Sequence, residues 1–275
     1  MRRRAAALVL AAAACGLVAG AIDLGYLWLK GSSVFVLRTV AVRGGSESDR
    51  VAARDAVARA AAGRSLLALS ASHIAGAIEA VPTIRQASVD RDFPHTLRIS
   101  IVPERPIAVA KGTGRWRDYQ SVVAASGRVV RVLEPRQASP PLPSFWPDEH
   151  PATGGTFHSA PNLGMLEALA TRPPDFHGRV ANVRFDSAHG IVMQLSGGLK
   201  IILGPPLELP SKLRSAAWVL RRYRTRADRL SLVYADVSAP NRPAVMPIGG
   251  YAATAGLGAQ PKKRHKTSKK AQNGA

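Results

Sequence analysis

Residues 72–102, SHIAGAIEAVPTIRQASVDRDFPHTLRISIV, decide how the first half of the chain folds. Ile74, Ala77, Ile78 and Val81 recur at i, i+3, i+4 and i+7, which places one apolar stripe along a helix. Ser72 is positioned to cap that helix, and Pro82, which has no N–H to donate, ends it. Ile84 to Asp90 then reads as a strand and Phe93-Pro94 as a turn. Leu97, Ile99 and Ile101 alternate with Arg98, Ser100 and Val102, the period of a half-buried strand. Upstream, Phe35 to Val42 is a β-branched run ending at Gly44-Gly45. Ser46-Glu47-Ser48-Asp49 fits a capping box and opens a helix to about Ala62, stopped by Gly63. The order β-α-α-β-β predicts a small module in which two helices cover one sheet face.

Beyond Ile107 strands dominate: Gln120 to Ala124, Gly127 to Leu133, Val180 to Phe185, Gly190 to Leu195 and Leu199 to Leu203. Asp186 to Gly190 and Ser196-Gly197-Gly198 stand where hairpin loops belong. Two helices interrupt, one near Asn162 to Ala170 and one from Ser211 to about Arg224. The second turns Leu213, Ala216, Ala217 and Leu220 inward, with Lys212, Arg214, Arg221 and Arg222 outward. Pro135 to Pro151 reads as a long loop, and Leu232 to Val245 as the last strand region. Gly249 to Ala275, rich in Gly, Ala and Lys, has the composition of a disordered tail.

The N-terminus has a different character. Ala5 to Ile22 carries no charge and would span roughly 27 Å as a helix, close to the hydrocarbon thickness of a bilayer. Arg2, Arg3 and Arg4 precede it and hold the N-terminus in the cytoplasm by the positive-inside rule, while Tyr26 and Trp28 follow as an interfacial belt. The rival reading is a signal peptide cleaved at Ala19-Gly20-Ala21. The uncleaved anchor is preferred because apolar and aromatic residues resume after that site. Asp23 is either an interfacial residue or a polar contact to a partner helix.

The chain has 275 residues, 46% of them hydrophobic, which excludes wholesale disorder. Its 5% aromatic content argues against a Trp-rich carbohydrate binder. A single cysteine, Cys15, excludes an internal disulfide framework and a Cys-based zinc site. The net charge is +20, and it stays strongly positive without the N-terminal arginines and the tail's Lys262, Lys263, Arg264, Lys266, Lys269 and Lys270. In a cytosolic protein such a tail would suggest nucleic acid. With the predicted topology it lies outside the membrane, so no nucleic acid is expected, only weak contact with anionic wall polymers or lipid headgroups or no specific partner. Asp90-Arg91-Asp92 resembles a metal-binding DxD but sits where solvated charges are ordinary. The seven histidines include no HxH or HxxxH pair, no Gly-x-Ser-x-Gly elbow is present, and Gly112-Thr113-Gly114 leads into no helix start. No enzyme, metal or cofactor is expected.

The sequence is similar to the FtsQ/DivIB family of bacterial cell-division proteins over about Arg2 to Val245. The similarity rests on Phe35-Val36-Leu37-Arg38-Thr39-Val40-Ala41-Val42-Arg43-Gly44, Val81-Pro82-Thr83-Ile84, Phe93-Pro94-His95-Thr96-Leu97 and Glu104-Arg105-Pro106-Ile107-Ala108. Further on it rests on Ser126-Gly127-Arg128-Val129, Leu142-Pro143, Gly198 to Gly204, Lys212-Leu213 and Tyr234-Ala235-Asp236-Val237-Ser238. The resemblance implies an α+β fold: a single N-terminal transmembrane helix within residues 1–30, a β-α-α-β-β POTRA module over 34–104, a mainly antiparallel β domain with two helices over 105–246, and a disordered basic tail over 247–275. It implies a non-enzymatic divisome scaffold at the septum that binds FtsB and FtsL outside the membrane and acts indirectly on FtsW and FtsI. The alternatives are another POTRA-bearing envelope assembly or secretion protein, or a basic wall-polymer binder. In the family a partner segment adds as a strand to the last edge. Carried over, that edge is Ser238 to Val245, with Ser238, Ala239, Asn241 and Arg242 as contacts and Arg221 and Arg222 alongside. Pro240 and Pro243 would each remove a ladder donor from it.

Overall fold

The computed structural model describes residues 20, 35–61, 64–223, 232–248 and 253–254. The expected membrane span and most of the basic tail lie outside the described residues. No helix among the described residues is long and apolar enough to cross a membrane. The chain divides into two compact units, up to Ala170 and from Thr171.

In the first unit, β1 (Thr39–Arg43), β2 (Ile84–Asp92) and β3 (Thr96–Pro103) form a sheet of order β1-β3-β2. β1 runs parallel to β3 and β2 antiparallel to it. Two helices, α1 (Glu47–Ala61) and α2 (Ala71–Glu79), supply the other layer. The capping box opens α1: the Asp49 N–H donates to Ser46 Oγ at 3.2 Å, and the Ser46 N–H donates to Asp49 Oδ2 at 2.9 Å. Burial raises the Asp49 pKa, but hydrogen bonds from the Ser46 and Thr83 side chains and the Ser46 backbone outweigh it and hold the carboxyl below its usual value. Ser70, not Ser72, caps α2, its hydroxyl accepting from the His73 N–H at 3.3 Å. Either serine satisfies a sequence rule; the chain's approach selects the earlier one, and Ser72 Oγ bonds to Ser70 Oγ at 2.9 Å. Ile74, Ile78, Leu97, Ile99 and Ile101 meet Ala53, Ala56 and Val57 in one core. Val102 on the opposite parity is 49% exposed, so the expected strand register holds.

The same unit continues with β4 (Pro106–Lys111), a short 3-10 turn (Gly114–Trp116), β5 (Gln120–Ala124), β6 (Val129–Val132), β7 (Ser144–Phe145) and α3 (Ala160–Ala170). Strand order is β7-β4-β5-β6, with β7 parallel to β4 and the other pairs antiparallel. Arg128 ties this sheet to the first module. Its guanidinium donates to the carbonyls of Glu79 at 2.8 Å, Ile84 at 3.1 Å, Ala80 at 3.2 Å and Gly154 at 3.3 Å. Two of these carbonyls close α2, where a cation also complements the helix dipole. Glu104, at the junction, accepts from Ser126 Oγ at 2.8 Å.

The second unit holds β8 (Val180–Asp186), β9 (Gly190–Leu195), β10 (Lys200–Gly204), α4 (Leu209–Arg222), β11 (Leu232–Asp236), β12 (Ala244–Pro247) and β13 (Ala253–Thr254). Their order is β8-β9-β10-β11-β12-β13, antiparallel except for β10 and β11. α4 packs on β10 through Leu213, Ala216, Ala217 and Leu220. Lys212 departs from its expected outward position: it is only 4% exposed, and its ammonium donates to the Pro205 carbonyl at 2.8 Å. The long alkyl stem lies in the apolar layer while the head finds a loop acceptor.

Candidate functional site

The candidate partner residues cluster at the end of β11. The Asp236 carboxylate accepts from the Ser238 N–H at 2.9 Å, closing an Asx turn, and the Val237 N–H donates to the Ile202 carbonyl at 2.9 Å. A second turn follows, closed by the Arg242 N–H to the Ala239 carbonyl at 3.0 Å. Ser238, Ala239, Asn241 and Arg242 are all exposed on it. The strand expected over Ser238 to Val245 is therefore a double turn followed by the short β12. Pro240 falls in the second turn and Pro243 just after it, both outside the ladder, where a missing N–H removes no ladder bond.

Three contacts fix the turns against the rest of the unit. Ser215 Oγ on α4 donates to the Pro240 carbonyl at 2.5 Å. Gly204 has φ +74°, and a Cβ there would stand 2.8 Å from Ser238 Cβ, so a residue larger than glycine is both strained and crowded. Lys212 holds the adjoining Pro205; burial lowers its pKa, against an opposing raise from Glu208.

Arg221 and Arg222 stand apart from this cluster. They end α4, six and seven residues beyond Ser215, or about 10 Å along the helix axis. Arg221 is engaged by Asp175 Oδ2 at 2.8 Å, and Arg222 is exposed at the helix end. The outer side of β12 is also not fully open: Ala244 pairs with Thr254 and Val245 with Ala253 of β13. Trp218, which charge-centred reading of this helix overlooks, is 36% exposed one turn beyond Ser215. Its signal in the sequence is helical phase, since Arg214, Trp218 and Arg222 are spaced by four.

The opposite face of β8 to β11 is open. It forms a cavity of about 620 Å³ lined by Asn182, Arg184, Asp186, Lys200, Tyr234 and Asp236, among others. Its charges are of both signs, so the face selects no single charge class. Elsewhere, Asp92 of the DxD stretch pairs with Arg98 at 2.6 Å, and Arg91 donates to the Leu69 carbonyl. Among the described residues no three His, Cys, Asp or Glu side chains group as metal ligands.

Residues 35–104 match the family described as POTRA domain, FtsQ-type. These are the residues of the two-helix, three-stranded module. Over 227 residues the chain is 26% identical to the cell division protein FtsQ of Mycolicibacterium smegmatis. The chain thus carries a domain of the FtsQ-type POTRA family and is similar to an FtsQ protein. The alignment covers 82% of this chain and 61% of that relative, so the chain spans about three-fifths of the curated FtsQ it matches. It continues well past the POTRA module, far enough to include part of the second unit. The similarity to that FtsQ thus extends to sequence around strands and helices that the POTRA match leaves out.

Proposed function

We propose that this protein is a member of the FtsQ/DivIB family and a non-enzymatic scaffold of the cell-division machinery. Arg2 to Arg4 and the uncharged run Ala5 to Ile22 support a single membrane anchor, N-terminus inside, with the folded part outside. In this reading residues 34–104 are the POTRA domain and 105–246 the β domain. FtsB- and FtsL-type proteins bind at the end of the second unit, coupling the scaffold to septal wall synthesis by FtsW and FtsI. The observation that carries the site is the pinned, exposed turn Ser238 to Arg242: four solvent-facing side chains on a backbone fixed by Ser215, Asp236 and Gly204. Such a fixed turn loses little entropy when a partner docks.

The test has two parts. Depletion of the protein is expected to block septation, and the tagged full chain is expected to co-purify with an FtsB- or FtsL-type protein. Arg242→Asp combined with Asn241→Ala is expected to leave the melting profile intact and to reduce that capture. Normal septation after depletion would refute the scaffold role; full capture by the double variant would move the interface elsewhere.

A further inference from the structure

The exposed side of α4 carries a ridge with a single chemical character. Arg214, Trp218 and Arg222 follow at four-residue intervals, so their Cβ atoms rise one above another about 6 Å apart. The helix contains four basic residues and no acid from Leu209 to Arg222. Of the basic residues, Lys212 is buried against Pro205 and Arg221 is paired with Asp175. Arg214 and Arg222 are exposed, and Arg214 bonds only sideways, to Ser211 Oγ at 3.1 Å. Trp218 lies between them with about a third of its surface in water, at 36% exposure. The Ser215–Pro240 bond brings the turn bearing Arg242 against the same side of the helix, because Ser215 and Trp218 are i, i+3 neighbours.

A half-seated tryptophan is a rigid apolar anchor that costs little side-chain entropy to use. Cations above, below and beside it suit an anionic partner. Among the described residues the neighbouring acids are accounted for: Asp236 accepts from Ser238, Asp175 pairs with Arg221, and Glu208 lies before the first turn of the helix. The backbone route is partly closed as well, since β13 already pairs with Ala244 and Val245. Side chains at this end of the unit therefore add to whatever backbone pairing the edge leaves open.

We propose that Arg214, Trp218 and Arg222, with Arg242 beside them, form a docking surface for an acidic segment of a partner protein whose apolar side chain covers Trp218. This rests on the scaffold reading above and assigns its partner surface to α4 as well as to the turn.

The test uses the full chain in nanodiscs of zwitterionic lipid and the purified extracytoplasmic segment of the FtsB- or FtsL-type protein from the same cell. Trp218→Ala and the pair Arg214→Glu with Arg222→Glu are each expected to weaken binding about ten-fold or more. Trp218→Phe is expected to keep most of the affinity, and Trp116→Ala all of it. The wild-type affinity is expected to fall with added salt, and the double-glutamate variant to lose that dependence. Melting curves confirm that each variant is folded; if Trp218→Ala unfolds, the surface arginine pair still decides. Absence of binding by the wild type sinks the scaffold reading and this surface with it. Wild-type binding that the variants leave unchanged overturns the surface alone. Unchanged partner affinity, with Trp218 fluorescence responding to phosphatidylglycerol added to the nanodisc, reassigns the ridge to lipid headgroups and also overturns the proposal.

Discussion

Arg128→Ala removes one side chain that donates to four backbone carbonyls: Glu79, Ala80, Ile84 and Gly154, at 2.8 to 3.3 Å. A hydrogen bond is worth about 0.5–1.5 kcal/mol net, and one from a charged donor more. The four bonds share one guanidinium and the site is half-exposed, so water replaces part of what is lost and the terms do not add. The expected cost is about 2–3 kcal/mol, or roughly 5–10 °C in melting temperature. Arg128→Lys keeps the charge at the end of α2 but presents a point donor in place of a planar fork, and is expected to lose about half as much. Urea unfolding reads the total, and amide exchange at Ala80, whose N–H bonds to the Gly76 carbonyl, reads the local effect. A loss below about 0.5 kcal/mol with unchanged exchange at Ala80 would show that the guanidinium contributes nothing to holding α2 and β2 against β6.

Ile78 is fully buried among Ile74, Leu97 and Ile99, so Ile78→Ala is expected to cost about 2–4 kcal/mol, whereas exposed Ser100→Ala should stay within about 0.5 kcal/mol in the same urea titration. Equal losses would mean the β3 register is one residue out. Asp49 has a lowered folded pKa, so its contribution is present above its unfolded value of 3.8 and is lost as pH falls through the folded one. Asp49→Asn is therefore expected to destabilise by about 1 kcal/mol at pH 7, with the gap to wild type closing as the pH falls below 3.8. A gap independent of pH would refute the ionised cap. Gly204→Ala is expected to cost about 1–3 kcal/mol, from positive φ and crowding against Ser238, and to weaken partner capture beyond any loss of folded protein. Normal stability in that variant would mean that β10 and the turn are not in close contact.

What was legible in the sequence was local. The capping box at Ser46 and Asp49 needs only four consecutive residues, and both partners of its hydrogen bonds lie inside them. The alternation of Leu97, Ile99 and Ile101 needs only a strand with one buried face. The misreadings share a dependence on distant acceptors. Lys212 takes an outward phase in the helical pattern, yet its partner is a carbonyl seven residues back in a loop whose path no periodicity fixes. β7 is two residues inside a proline-rich stretch, too short to show any period, and it is fixed by parallel pairing with β4. β13 lies inside a segment whose composition reads as disordered, and its strand character comes from the edge of β12 that it meets. The candidate site was half legible: Tyr234 to Ser238 marks the end of β11, but the turn after it depends on Ser215 and Gly204.

The two prolines carry the remaining argument. In an edge strand Pro240 and Pro243 would each remove a donor and weaken pairing. In the observed turn (Pro240) and just after it (Pro243) the same residues restrict the backbone, and the carbonyl of Pro240 is what Ser215 bonds. Rigidity here is achieved without an extended ladder: a helix hydroxyl, an Asx turn and a glycine contact hold five residues in place. A partner meeting a prefixed turn loses less conformational freedom in complex formation than one that must order a loose edge. The residues that build this end of the unit are mostly not those that would touch the partner. Gly204, Lys212 and Ser215 set the backbone, whereas Asn241, Arg242 and Trp218 present the chemistry. Substitutions in the first group should therefore change stability and capture together, and those in the second capture alone.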